Sequence, residues 1–318
     1  MTASTTQRTT AKSAKSRIAA VGAIAVAGTL LLTGCGDQTK DDSGKAGGSK
    51  SAPLADKLPK EIRDKGVIRV GSDIAYAPVE FKDKSGNAIG IDPDLAKAMG
   101  KQLGVKFEFQ NGTFDTLVTG LKSNRYDLAM SAMTDTKDRQ NGVDSDTGKK
   151  VGEGVDFIDY FNAGVSIYTP KGKTQGIKTW DDLCGKKIVV QRGTVSHDLA
   201  KSQAKKCKGG KLGIQAFDDD QQAQTRLRSG GADAGSSDFP VAAYAVKTAG
   251  GGKAFQMVGD QVEAAPYGIA VSKDQKQLRE AVKAAMDAII KNGEYDKVIS
   301  KWGVEDGAVK SAVINGGK

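Results

Sequence analysis

Short apolar runs alternate with amphipathic stretches along the chain from about residue 54 onward. Three apolar runs predict strands: "VIRVGSD", "VKFEFQ" and "YDLAMSAM". The stretches between them predict helices: "DPDLAKAMGKQLG" and "TFDTLVTGLKSN". The apolar positions of the first helix share one face, as a core-facing helix requires: Leu95, Ala98, Met99 and Leu103. This β-α-β-α-β order predicts a mostly parallel sheet with helices on both faces.

The ends of the first helix carry capping signals. Asp92 is predicted to be the N-cap residue, with Pro93 in the first helical position. Gly104 follows the last apolar position and is predicted to end the helix.

The same alternation starts again in the second half of the chain. "KKIVVQRG", "IQAF" and "GADAGSSD" predict strands, and "TVSHDLAKSQAKKC", "DDQQAQTRLRSG" and "PVAAYAVKTAG" predict helices. Two more amphipathic helices follow: "DQKQLREAVKAAMDAIIKNG" and "EYDKVISKW". Two α/β units in one chain indicate an α/β fold of two lobes, each a mostly parallel sheet flanked by helices. A ligand cleft is expected between the lobes, at the carboxyl ends of the strands.

The first 53 residues have a different composition. Four basic residues precede the apolar run "IAAVGAIAVAGTLLL", which ends in "LTGC". This pattern matches the lipobox of bacterial lipoproteins, so residues 1–34 are predicted to be a signal peptide and Cys35 the lipidated residue. A plain signal peptide with an incidental cysteine, or a membrane-spanning anchor, are the alternatives. Residues 35–53 are polar and rich in Gly and Ser, which is typical of a flexible tether.

Charge and cysteine content narrow the classes of partner. Cleavage would remove the four basic residues of residues 1–34, which lowers the formal net charge from +9 to +5. Basic and acidic residues are interspersed in the rest of the chain, so nucleic acid is not an expected partner. Cys184 and Cys207 form an even pair in an exported body, which favours a disulfide over two free thiols. With a single His and no CxxC, we expect no metal and no cofactor.

Polar side chains follow the predicted strands where each strand ends. They are Asp73, the run from Ser131 to Arg139, the pair Thr194 and Ser196, and Asp238. A guanidinium binds a carboxylate, and so do the free N–H groups at the start of a helix. An Asp carboxylate binds an ammonium group. The set therefore predicts a site for a zwitterion. The alternative for each acid or hydroxyl is a cap or turn residue, above all for Asp238 before "FPVAAY".

Seven motifs in order resemble the amino-acid substrate-binding proteins of ABC importers (bacterial extracellular solute-binding proteins, family 3). The motifs are "IRVGSDIAYAPVEFKD", "IGIDPDLAKAMGKQLG", "FDTLVTGLKSNRYDLAMSAMTDTKDR", "DDLCGKKIVVQRGT", "SSDFPVAAY", "PYGIAV" and "NGEYDKVISKWG". The resemblance spans about Lys60 to Gly303. It implies a periplasmic-binding-protein-like fold with a two-strand hinge at about 163–166 and 263–267. Lobe 1 would comprise residues 54–163 plus 268–318, and lobe 2 residues 164–267.

The resemblance also implies roles for individual residues. Arg139 would hold the ligand carboxylate, helped by Thr134 and the loop Thr194, Val195, Ser196. Asp238 would hold the ammonium with Ser131, Ala132 and Thr134. Tyr76 and Phe114 would sandwich the ligand side chain, and Asp73 would lie near its end.

Three features depart from the family pattern. Val79 replaces the usual Phe, Asp135 stands where an apolar residue is common, and the segment around Asp144–Gly154 is about a dozen residues longer than usual. Asp73 and Asp135 together favour a polar or cationic ligand side chain.

The expected protein is a monomeric, lipid-anchored receptor at the extracellular face of the cell membrane. It would bind a free amino acid and deliver it to an ABC permease, without catalytic residues of its own. Two alternatives stay open: an exported enzyme of the same fold, such as a cyclohexadienyl or prephenate dehydratase, and a sensory module.

Overall fold

A computed structural model of the protein describes residues 52–317. The predicted signal peptide, Cys35 and nearly all of the tether lie outside these residues. In the part described, no helix has the length and apolar character needed to cross a membrane. The strands are β1 (Val67–Ser72), β2 (Ala75–Tyr76), β3 (Glu80–Lys82), β4 (Ala88–Ile89), β5 (Lys106–Asn111), β6 (Leu128–Ala129), β7 (Val155–Pro170), β8 (Lys187–Gln191), β9 (Gly213–Phe217), β10 (Ala234–Asp238), β11 (Phe255–Ser272) and β12 (Ala308–Ile314).

Nine α-helices are found in residues 52–317, together with short 3₁₀ turns. The helices are α1 (Lys60–Lys65), α2 (Ile91–Leu103), α3 (Leu117–Lys122), α4 (Lys137–Asn141), α5 (Val195–Lys206), α6 (Asp220–Arg228), α7 (Phe239–Thr248), α8 (Lys276–Lys291) and α9 (Glu294–Trp302). Each predicted helix is present, and the predicted α/β fold class is confirmed.

The main sheet consists of two parallel groups separated by two long antiparallel strands. Its order is β5-β1-β6-β11-β7-β10-β8-β9, with β12 paired to β7. β1 is parallel to β5 and β6, and β8 is parallel to β9 and β10. β7 and β11 pair with each other along most of their length. Strands β2, β3 and β4 form a separate small antiparallel sheet.

Each parallel group has its own apolar core. On the β1 side, the apolar face of α2 packs with that of α8, through residues such as Leu95, Met99 and Leu278. On the β8 side, Ile188 and Val190 pack with Ile167 and other residues of a separate cluster. This arrangement is the two-lobe architecture that the sequence predicts, with β7 and β11 running from one group to the other.

The start of α2 differs from the prediction. The N-cap residue is Gly90, and Asp92 lies inside the first turn, fully buried, without a capping hydrogen bond to the backbone of its own helix. Its carboxylate accepts hydrogen bonds from other elements instead. The predicted end is correct, because Gly104 adopts the left-handed conformation (φ 69°) that ends the helix.

Cys184 and Cys207 form the predicted disulfide. It joins the turn that precedes β8 to the end of α5, across 23 residues of sequence. A crosslink of this length restricts the unfolded chain and contributes about 3 kcal/mol to stability in the chain-entropy model.

Candidate functional site

Eight of the eleven predicted ligand-binding residues line a single small cavity. They are Tyr76, Phe114, Ala132, Thr134, Arg139, Thr194, Val195 and Asp238. These residues come from both parallel groups of the sheet. Segments after β6 and β8 and the last residue of β10 carry most of them, because the carboxyl ends of parallel strands meet at one edge of a sheet.

Arg139 provides the positive charge of the cavity. It lies in α4, where its backbone N–H donates to the N-cap hydroxyl of Thr136. Its guanidinium donates to the carbonyl of Thr134 at 2.6 Å and to the carbonyl of Gly193 at 2.9 Å. The guanidinium carbon also lies 5.2 Å from the centre of the Phe114 ring. Burial lowers the pKa of Arg139, although the guanidinium remains charged.

Asp238 provides the negative charge. It occupies the N-cap position of α7, but its side chain does not cap that helix. The Tyr267 hydroxyl donates to its carboxylate at 2.8 Å, and its backbone N–H donates to the Tyr76 hydroxyl at 3.1 Å. Burial raises the pKa of Asp238 to about 6, against the lowering effect of the tyrosine hydrogen bonds and of Arg139. Asp238 therefore has the N-cap position of the capping alternative, but its carboxylate makes no capping hydrogen bond and the residue lines the cavity.

The start of α5 lines the same cavity. The Thr194 hydroxyl accepts a hydrogen bond from the His197 N–H at 3.2 Å and donates to the Gln191 carbonyl at 2.8 Å. Thr194 is thus the N-cap residue of a twelve-residue helix, and Val195 is its first residue. Free N–H groups at this end favour an anion such as a carboxylate.

Asp73 does not line the cavity, although it connects the two halves of the molecule. It is 4% exposed and follows β1, and Gln191 at the end of β8 donates to its carboxylate. Burial raises the pKa of Asp73 to about 7, and the hydrogen bond from Gln191 only partly opposes this.

Ser131 and Ser196 do not line the cavity either. Ser131 accepts a hydrogen bond from the Asp73 N–H at 2.9 Å and donates to Glu80 at 3.0 Å. The Ser196 hydroxyl lies 3.2 Å from that of Ser236. Both serines are buried and support the residues around the cavity.

Gln191, Gly193 and Tyr267 were not among the predicted site residues. Gln191 is the last residue of β8, but the predicted strand "KKIVVQRG" continues to Gly193, so the sequence pattern places Gln191 inside a strand. Tyr267 is part of the motif "PYGIAV", but a tyrosine inside an apolar strand carries no signal of a polar contact. Gly193 contributes through its carbonyl, which sequence cannot reveal.

Asp135 does not line the cavity. It is fully buried, and its carboxylate accepts hydrogen bonds from Gln140 at 2.7 Å and from the backbone N–H of Gly317 at 2.8 Å. The hypothesis that Asp135 helps to select the ligand is therefore wrong. It fastens the segment after β12 to the loop that carries Thr134 and Arg139.

The segment around Asp144–Gly154, which is longer than the family pattern, reaches across to α5. Lys201 of α5 pairs with Asp146 at 2.8 Å, and the Ser145 hydroxyl donates to Asp198 at 3.1 Å. Arg139 also contacts Gly193, and Asp73 contacts Gln191. Because all these bonds join the two parallel groups of the sheet across the cleft, the cleft is closed.

Comparison with known proteins agrees with this architecture. The model of the family described as "Bacterial extracellular solute-binding proteins, family 3" matches residues 68–305. The "Arginine-binding protein ArgT" of Corynebacterium glutamicum is 31% identical over 262 residues, which covers 81% of each chain.

Two solved structures of ancestral proteins are also similar. One is titled "An ancestral arginine-binding protein bound to arginine" and has 37% identity, a TM-score of 0.66, and coverage of 74% of this chain and 98% of that one. The other is titled as the "ancestral amino acid-binding protein AncCDT-1, a precursor of cyclohexadienyl dehydratase", with 37% identity, a TM-score of 0.66, and coverage of 76% and 97%. The chain belongs to the bacterial extracellular solute-binding proteins, family 3.

Proposed function

We propose that this protein binds a free amino acid with a cationic side chain in the cleft and delivers it to the permease of an ABC importer. The observation that carries the proposal is the presence of two opposite charges on one cavity, the half-buried Arg139 and the buried Asp238. The lobes are proposed to comprise residues 54–163 plus 268–318 and residues 164–267, with β7 and β11 as the hinge.

The two charges match the head group of an amino acid. A closed cleft removes water from the ligand carboxylate and ammonium, so each needs a partner of opposite charge. Arg139 and the start of α5 supply donors for the carboxylate, and Asp238 supplies an acceptor for the ammonium. Tyr76 and Phe114 supply apolar surface for the aliphatic part of the ligand.

Asp73 supports the cationic class of ligand. Its carboxylate is held by the neutral amide of Gln191, and burial raises its pKa to about 7. A ligand guanidinium or ammonium that reached Asp73 would supply the missing positive charge. The arginine-binding names of the similar proteins agree with this choice.

Titration calorimetry with a panel of amino acids tests the proposal. We expect L-arginine or L-lysine to bind more tightly than L-glutamine and much more tightly than L-glutamate. Preference for acidic or branched aliphatic amino acids would contradict it. Incubation with prephenate tests the enzyme alternative, and we expect no product.

Replacement Asp73→Asn is expected to lower the affinity for L-arginine by at least about tenfold, because a neutral amide cannot pair with a cation. Binding of L-glutamine should change little, since its side chain has no charge. In the wild type, arginine affinity should also fall as the pH drops below about 7, because Asp73 then becomes protonated. Calorimetry between pH 5 and 8 should show a weaker dependence in the variant. Equal loss for both ligands would contradict the side-chain role.

Lipid anchoring through Cys35 is part of the proposal. Two acyl chains hold a protein stably on a membrane, whereas one chain gives marginal binding. We expect Cys35→Ala to release the protein from the membrane fraction, and metabolic labelling with a fatty acid to mark the wild type alone. Labelled protein in the variant would contradict lipidation at this residue.

A further inference from the structure

Two buried carboxyl groups lie directly behind the loop that lines the cavity. Glu80 comes from β3 and Asp92 from the first turn of α2, and both are fully buried. The chain at residues 78–80 passes so close to α2 that a Cβ on Gly90 would lie 2.2 Å from the carbonyl oxygen of Val79. Gly90 also has a φ of 136°, which favours glycine. This close approach brings the two carboxyls together.

The hydrogen bonds that these carboxyls receive come from neutral groups. The Tyr160 hydroxyl donates to Asp92 at 2.7 Å, and the Ala132 N–H donates to Asp92 at 3.3 Å. The Ser131 hydroxyl donates to Glu80 Oε1 at 3.0 Å. Two ionised carboxylates in such a site would repel each other without a compensating cation, at a large cost in free energy.

One oxygen of the pair has no ordinary donor. Within residues 52–317, Glu80 Oε2 is buried and receives no hydrogen bond from an N–H or hydroxyl group. A proton on this oxygen, donated to Asp92, would satisfy both groups at once. The helix end decides which carboxyl keeps the negative charge, because Asp92 lies in the first turn of α2, where the helix dipole favours an anion.

We propose that Glu80 and Asp92 share one proton and that this pair positions residues 131–134 for ligand binding. Glu80 orients the Ser131 hydroxyl so that it can accept the N–H of Asp73. Asp92 holds the N–H of Ala132, a cavity residue with the left-handed φ of 44°, which costs energy for a residue with a Cβ. Both are positioning residues, since neither lines the cavity. The ligand part of this inference rests on the proposed function.

The electrostatic surroundings agree with a retained proton. Burial, and then the adjacent Asp92, raise the pKa of Glu80 well above its ordinary value, and Asp73 acts in the same direction. Burial raises the pKa of Asp92 to about 6, while the Tyr160 hydroxyl opposes the rise. Tyr76, the other titratable neighbour, is neutral because burial raises its pKa well above 10.

Glu80→Gln is the sharpest test, because the amide has the same shape. Its oxygen can accept from Ser131 and its N–H can donate to Asp92, so we expect L-arginine affinity within about threefold of wild type. Glu80→Ala, which leaves Ser131 and Asp92 without this partner, should lose at least about tenfold. Asp92→Asn should lower the affinity for L-arginine as much, because the N–H₂ group of the amide would face the Tyr160 hydroxyl or the Ala132 N–H, which are donors to Asp92. Glu80→Gln as harmful as Glu80→Ala would overturn the proposal.

Two readouts do not depend on the ligand. Between pH 5 and 7 the folded wild type keeps a proton that the unfolded chain loses. For each unit of increase in pH, the unfolding constant of the wild type should therefore rise by an additional factor of about ten compared with that of Glu80→Gln. Infrared spectroscopy should detect a protonated carboxyl that disappears in Glu80→Gln but persists in the control Glu108→Gln, which changes an exposed carboxylate. Parallel pH curves and an unchanged infrared band would overturn the shared proton. If the wild type does not bind L-arginine, the proposed function is wrong, but the pH curves and the infrared band still test whether Glu80 and Asp92 share a proton.

Discussion

Replacement Arg139→Ala is expected to lower the affinity for every L-amino acid by about a thousandfold, or about 4 kcal/mol. The reason is that the ligand carboxylate would remain buried in the closed cleft without its guanidinium partner. The contacts of Arg139 with Thr134 and Gly193 would be lost as well, so the cleft would also close less firmly. Calorimetry with L-arginine and L-glutamine measures the effect, which should be similar for both ligands.

The variant Arg228→Ala is a matched control, because Arg228 is exposed at the end of α6 and lies away from the cavity. Arg139→Lys should give an intermediate loss, since an ammonium keeps the charge but not the planar fork. Near-native affinity in a folded Arg139→Ala protein would contradict the carboxylate role.

The helices and parallel strands could be predicted because local pattern and tertiary environment agree in them. Leu95, Met99 and Leu103 mark one buried face of α2, and each faces the core. The long strands β7 and β11 could not be predicted as such. The middle of β11 is exposed and its register shifts between Val258 and Ala265, so no alternation of apolar and polar residues runs through it. This stretch lies between two cores and faces neither.

Strand β6 shows the opposite error. The apolar pattern of "YDLAMSAM" predicts eight residues, but the strand comprises only Leu128 and Ala129. The chain then turns at Ala132, with a left-handed φ, where Asp92 accepts its N–H. Here a tertiary contact between two residues 40 positions apart in the sequence overrides the local pattern. The buried residues after β6 do not continue the strand, and among them Ser131 supports the cavity loop through its hydrogen bonds.

The charged residues of the cavity could be predicted from the sequence, whereas their supports could not. Arg139 and Asp238 stand out because the segments at the carboxyl ends of strands in α/β sheets are where ligand sites occur. Glu80 and Asp92 look like surface residues in a sequence, since nothing local shows that β3 and α2 meet at Gly90. Burial of unpaired acids is a property of the assembled fold, and it determines the protonation behaviour of the site.

Replacement Asp238→Asn is expected to separate ligand affinity from stability. The amide keeps the size of the side chain and can still accept from Tyr267, but it cannot neutralise the ligand ammonium. Affinity for any amino acid should fall by about a thousandfold at pH 7, the usual cost of leaving a buried charge unpaired. In the wild type, affinity should fall about tenfold per pH unit below about pH 6, because the carboxylate must be ionised to bind the ammonium. The variant should lack this contribution.

The ligand-free variant should, by contrast, be more stable than wild type at pH 7. The pKa of Asp238 rises from 3.8 to about 6 on folding, so the unfolded chain releases its proton first as the pH increases. Ionisation of Asp238 therefore lowers the free energy of unfolding by about 3 kcal/mol as the pH rises from 4 to 6. The amide of the Asp238→Asn variant would not titrate, and the ligand-free melting temperature of that variant at pH 7 should be several degrees higher. Asp260→Asn, at an exposed position, should change neither quantity. Equal melting temperatures would mean that Asp238 is solvated in the free protein, whereas a higher value would show that the binding carboxylate is maintained at the expense of stability.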